Sequence, residues 1–231
     1  MHTLQDVKTE GGAPGLRERK KQATRTALAE AAVRLAAEHG AENVTVEAIS
    51  EAAGVSPRTF FNYFDTHDDA FVMLDPEIGE RVRRAVREAP AALSPLDVVR
   101  EALATELADV EERQKIWKLR ATVLKRSPHL LVRGLGAHMA QELDLAGAIA
   151  ERLGSGGTDG PDPAALELYP RLLAAVAGTA VRVCVEHWCA QAPAEAFPDV
   201  FQRVFAHLEA GLPEPPAPAR PVSPPVSPSD C

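Results

Sequence analysis

The stretch that most constrains this chain runs from residue 44 to residue 64. Thr45 predicts an N-cap for a helix that carries Val46, Ile49 and Ala53 on one face. Gly54 accepts the left-handed conformation that ends such a helix. Ser56 predicts a second cap, and Pro57 suits the first helical position because its missing N–H needs no partner there. Phe60 and Phe64 then share the inward face, which leaves Arg58, Thr59, Phe61, Asn62 and Tyr63 spread over the rest of the surface. A buried helix joined by a Gly-centred turn to a short exposed one is the pattern of a helix-turn-helix.

The surrounding composition fits an all-α protein: Ala and Leu are abundant, aromatics make up 5% and no alternating β-branched runs occur. In 231 residues there is room for an N-terminal three-helix helix-turn-helix DNA-binding domain and a larger C-terminal helical domain. A formal charge of −8 opposes nucleic-acid binding only if charge is spread evenly. It is not, because Arg17, Arg19, Lys20, Lys21 and Arg25 face Glu18 alone between Leu16 and Leu28. Cys184, Cys189 and Cys231 make neither an even disulfide framework nor a metal-ligand spacing, so no metal and no cofactor is expected. Free thiols and a polar, Gly-rich start without a signal-peptide pattern predict a cytoplasmic protein. No apolar run is read as reaching the ~18 residues of a membrane span, so no membrane partner is expected.

In chain order, residues 1–15 predict a disordered leader, 16–65 the DNA-binding domain, 66–212 a ligand-binding and dimerisation domain, and 213–231 a disordered Pro/Ser-rich tail. A helix over 16–39 carries the basic cluster on its first turns and an apolar stripe of Leu28, Ala31, Ala32 and Leu35 before Gly40. Thr66 and Asp69 resemble a capping box, predicting a fourth helix through Phe71, Met73, Leu74, Ile78, Val82 and Val86 that Pro76 kinks or interrupts. Further helices are predicted over 94–110, 116–124, 129–153, 164–190 and 194–211. The Gly-rich stretch 154–163 is a loop without the Gly-Lys-Ser/Thr ending of a phosphate loop.

Thr45, Ile49, Ala53-Gly54-Val55-Ser56, Thr59-Phe60-Phe61, Tyr63-Phe64, Thr66 and Asp68 stand at fixed spacings. With them, residues 17–70 resemble the DNA-binding domain of the TetR family of bacterial transcriptional regulators. The resemblance implies a homodimer on a double-stranded, near-palindromic operator, with the last two helices, about 164–190 and 194–211, forming a four-helix bundle with a second subunit. It also implies a ligand cavity among the middle helices. Arg58 and Asn62 are the candidates for base edges, since Arg suits guanine and Asn suits adenine. Thr45, Ser56, Thr59 and Tyr63, with Arg17, Lys20 and Lys21, are the candidates for phosphate contacts. The family usually has Tyr at Phe61 and Lys at His67; the substitutions leave Phe61 only apolar contact and His67 a ring nitrogen near helix N-terminal amides. Both predict fewer phosphate contacts and a gentler salt dependence.

Trp117, Arg120, His138, Tyr169, Arg182 and Trp188 are the candidate pocket residues for a largely apolar small-molecule effector, the plainer reading of each being packing or surface. The segment 115–133 loosely resembles family members with acyl-CoA-like ligands. Cys184 and His187 share a helix, but Glu186 lies on another face and no oxyanion hole is visible, so an enzyme is not expected. The resulting expectation is a ligand-responsive repressor. A transcriptional activator and an interaction module with weak or lost DNA binding stay open beside it.

Overall fold

A computed structural model describes residues 16–72, 75–154, 166–190 and 195–213. The leader, all of the tail but Pro213, Met73, Leu74 and nearly all of the Gly-rich loop lie outside the described residues. Among those residues every regular element is helical. The order is α1 (Leu16–His39), a 3-10 turn (Ala41–Asn43), α2 (Val46–Ala52), α3 (Pro57–Phe60), α4 (Asp69–Val72), α5 (Pro76–Glu88) and α6 (Pro95–Glu106). A second 3-10 segment (Ala108–Arg113) leads to α7 (Gln114–Arg126), α8 (Pro128–Arg152), α9 (Leu168–Ala190) and α10 (Phe197–Glu209).

Short polar side chains and prolines set most of these starts. Thr45 Oγ1 accepts from the Ala48 N–H at 3.2 Å, and Ser56 Oγ accepts from the Thr59 N–H at 3.2 Å. Ser94 Oγ accepts from the Asp97 N–H at 3.1 Å, and Pro95 opens α6. The expected fourth helix is in fact two: Asp75 caps a fresh start at Pro76 by accepting from the Glu77 N–H at 2.9 Å. Proline permits that start and forbids the continuous ladder, so interruption prevails over a kink.

The capping box at the start of α4 is present with Asp in the reciprocal role: Asp69 Oδ2 accepts from the Thr66 N–H at 2.9 Å and from Thr66 Oγ1 at 2.8 Å. Arg133 of α8 adds an ion pair to Asp69 at 2.7 Å. Burial works upward on the Asp69 carboxyl, but the hydrogen bonds from Thr66 and Arg133 outweigh it and hold it below its ordinary value. A folded value below the unfolded one means that this contribution is full above the unfolded value and is lost as pH falls through the folded one. Asp69→Ala should therefore cost about 1 kcal/mol near neutral pH, solvent screening keeping it small. The gap in melting temperature between the wild type and D69A should close as pH falls through the carboxylate range. A gap independent of pH would refute the role.

Three apolar clusters hold the fold. The first joins Leu28, Ala32, Ile49, Phe60, Phe64 and Phe71 to Val123 and Leu124 of α7 and Leu130 of α8. The core under the helix-turn-helix therefore continues across the expected domain limit at 65/66 into the larger domain. The second cluster packs Val82 and Val86 of α5 with Val99 of α6, Ile149 of α8 and Ala174 of α9. The third packs Cys184 and Trp188 of α9 with Phe197, Phe201 and Phe205 of α10.

Helix α9 corrects one expectation, because it contains an 18-residue window long and apolar enough to cross a membrane by length and composition. A third of that window (33%) is buried in the fold, and Ala174, Ala177, Ala180, Cys184 and Trp188 of α9 pack in the second and third clusters. The opposite side leaves Leu168, Tyr169, Leu172 and Val183 exposed.

Candidate nucleic-acid interface and ligand cavity

The reading segment is built outward from Phe60, which is 0% exposed and meets Phe64 with ring centroids 5.3 Å apart. Gly54 takes φ +69°, a left-handed turn where a side chain would be strained, and so ends α2 and redirects the chain into α3. With Phe60 and Phe64 fixed inward, Arg58, Phe61 and Asn62 are exposed, and Thr59 is half-buried. Thr45 and Ser56 use their oxygens as acceptors in caps, which leaves the Thr45 hydroxyl proton able to donate outward. Ser56 Oγ also lies 2.9 Å from Thr59 Oγ1, tying two candidate phosphate donors to each other.

Several other candidates are placed differently from the sequence expectation. Tyr63 is half-buried against the first cluster. His67 sits with Nδ1 3.1 Å from Asp68 Oδ1, its ring edge-on to Phe71 at 4.7 Å, and its Nε2 buried without a partner. Neither ring nitrogen is presented for a phosphate in this arrangement, because packing against Phe71 has claimed the ring. Of the basic cluster, Arg17, Arg19 and Lys20 are exposed on α1, while the Lys21 ammonium pairs with Glu77 of α5. Hydrogen bonding to Glu77 pushes the Lys21 pKa up, so the charge persists but is directed to α5.

Arg25, the last base of the cluster, turns inward. Its guanidinium donates to the Tyr63 carbonyl, lies 4.4 Å from the Phe64 ring centroid and approaches Asp75 at 3.8 Å. One side chain of α1 thus touches the end of the reading segment and the cap of α5. Sequence reasoning counted Arg25 only as charge; its one local signal was lying four residues beyond Lys21, one turn further into the apolar part of α1.

Behind Arg25 lies a cavity of about 290 Å³. Its wall runs from Gln22, Arg25 and Phe64 to Val181 and Val185 of α9, passing Leu103, Leu124 and Leu145. Exposed Leu131 and Leu135 bring it to the α8 surface. Of the candidate pocket residues, Trp117, Arg120, His138 and Arg182 are on this wall. Tyr169 is exposed near the start of α9, and Trp188 is 0% exposed inside the third cluster, edge-on to Phe197 at 5.3 Å. Trp188 lies off the wall because its indole fills the contact between α9 and α10, a long-range fit that helical spacing does not reveal. A second space of about 190 Å³, lined by Lys21, Arg25, Asn62, Tyr63, Asp75 and Glu77 among others, separates the reading segment from α5.

Burial pushes the Arg120 guanidinium down to about 10, which leaves it cationic at neutral pH. Burial, then the charges of Arg120 and Arg182, push His138 down, so its imidazole is held neutral. Burial raises Glu142 on the same wall.

Comparison with known proteins agrees with this geometry. The family model for bacterial regulatory proteins of the tetR family matches residues 28–71, and the model described as the MftR C-terminal domain matches residues 93–213. The chain is 31% identical over 181 residues to the HTH-type transcriptional regulator TcmR of Streptomyces glaucescens, covering 76% of this chain and 77% of that protein. The chain belongs to the TetR family of bacterial regulatory proteins. Among solved structures, the SmeT–triclosan complex superposes with a TM-score of 0.54 at 17% identity, covering 85% of this chain and all (100%) of that one. The Thermus thermophilus FadR repressor with lauroyl-CoA gives 0.46 at 22% identity over 84% of this chain and 98% of that one.

As a TetR-family transcriptional regulator, the protein acts without catalysis, and its thiols fit that role. Cys184 is buried, and burial pushes its thiol up to about 11, the reverse of what activates a nucleophile.

Proposed function

We propose that this TetR-family regulator is a cytoplasmic, homodimeric repressor released from a near-palindromic operator by a small, largely apolar effector. The observation that carries the reading is that Arg25 and Phe64 belong both to the reading head and to the cavity wall. A molecule occupying the cavity would press on the residues that hold Tyr63 and the end of the reading segment. Effector and operator then oppose each other through one coupling free energy, felt equally from either site. The apolar stripe of Leu168, Leu172 and Val183 on α9 supports a second copy of this chain as the partner. On α10 the large apolar groups are mostly spent inside the subunit, on the third cluster, so α9 carries more of the apolar contact than an equal pair of helices would.

In this reading Arg58 and Asn62 meet base edges, while Arg17, Lys20, Thr45 and Thr59 meet phosphates. Arg58→Ala should weaken operator binding by about 1–3 kcal/mol and relax the preference at one base position. Gel-shift titrations across single-base operator variants would reveal this. A uniform loss with a shallower salt dependence would make Arg58 a phosphate contact instead. The repressor reading itself is tested with the DNA upstream of the protein's own gene. No shift at low salt in any fragment would leave the interaction-module reading in its place.

A further inference from the structure

Arg120 lies on the cavity wall with an incomplete set of partners. Its Nε donates to the Val72 carbonyl at 3.0 Å, and its guanidinium carbon lies 5.3 Å from the Trp117 ring centroid. A guanidinium has five N–H donors, and no carboxylate among the described residues answers this one. Other cations on the wall differ: Arg25 has Asp75, Arg83 has Asp144 and Glu80, and Arg182 has Glu186. Arg113 also lines the cavity without an ion pair among the described residues, which adds to the positive balance there. A desolvated cation without a counter-ion is costly to keep, and a fork of parallel N–H groups is matched by a planar oxyanion. Most of the remaining wall is apolar, including Leu103, Leu124, Leu145 and Val185, with Gln22, Gln141, Glu106 and Glu142 as polar interruptions.

We propose that the effector is an apolar acid, with its carboxylate seated on the Arg120 guanidinium and its body against the Leu and Val side chains. This rests on the effector reading above and narrows it to one chemical class. His138, held neutral on the same wall, can turn one ring nitrogen toward the same carboxylate as a neutral donor.

Calorimetric titration of the purified full chain with matched acid and alcohol probes tests it: dodecanoate against dodecanol, and 2-naphthoate against 2-naphthylmethanol. The acid of at least one pair should bind about tenfold tighter than its alcohol, as a charge-assisted bond replaces a neutral one. In Arg120→Met the preference should vanish while the alcohol binds as before. Arg120→Lys, which keeps the charge, should retain part of the preference and serves as the second variant if Arg120→Met fails to fold. Equal affinity within both pairs, failure of both acids to bind, or an undiminished preference in Arg120→Met overturns the proposal. Equal loss of acid and alcohol in both variants makes Arg120 a structural tie to Val72 and overturns it too. Gel shift of the wild type on its upstream DNA is run in parallel. A protein that shifts DNA but shows no acid preference loses this inference alone, whereas one that never shifts DNA loses the repressor reading.

Discussion

Phe60→Ala is expected to destabilise the protein by about 3–5 kcal/mol and to abolish operator binding at growth temperature. The side chain is 0% exposed and meets Phe61 at 5.4 Å and Phe64 at 5.3 Å, so truncation leaves a cavity beneath the reading segment. Against a total stability of about 5–15 kcal/mol, such a loss is a large share. Denaturant titration followed by circular dichroism measures the first effect and gel shift the second. A midpoint within experimental error of the wild type would mean that Phe60 is not what anchors the helix-turn-helix.

Leu172→Glu acts where one subunit leaves more than half of the residue uncovered. At 56% exposed on α9, Leu172 should be replaceable without melting the protomer. Across a two-fold axis the same substitution occurs twice and sets like charges in what would be an apolar contact. Light scattering should show a monomer with an unchanged far-ultraviolet spectrum. Operator affinity should fall on the order of a hundredfold or more, because each half-site must then be bound as a separate event. A dimer persisting at the wild-type concentration would move the partner surface away from α9.

What the sequence made legible was mostly local. Caps at Thr45, Ser56 and Asp69, the turn at Gly54 and the inward pair Phe60 and Phe64 all depend on contacts within a few residues. The family could be read because its motif is such a local run. Misplacements arose where distant elements decide. Trp188 fills the contact between α9 and α10, and His67 is taken up by Phe71. Arg25 looked like surface charge until α3 and α5 came to either side of it. The second 3-10 segment carries no strong periodic signal, and the reading of 94–110 as one helix ran through its start. The apolar length of α9 was underestimated because Arg171 and Arg182 break up the run, although its average over 18 residues stays apolar.

The cluster shared by α1, α2, α3 and α7 bears on how such a protein can diverge. On α7, Arg120 and Leu124 line the cavity, while Val123 and Leu124 belong to the same apolar cluster as Phe60. A lineage adapting this cavity to a new compound must revise the same helix that props up its grip on DNA. A reading head grafted onto a relative's body would arrive without the floor it stands on. Under the proposed function, the fit of an effector and the hold on an operator would share one helix, so changes in one would be filtered through the other.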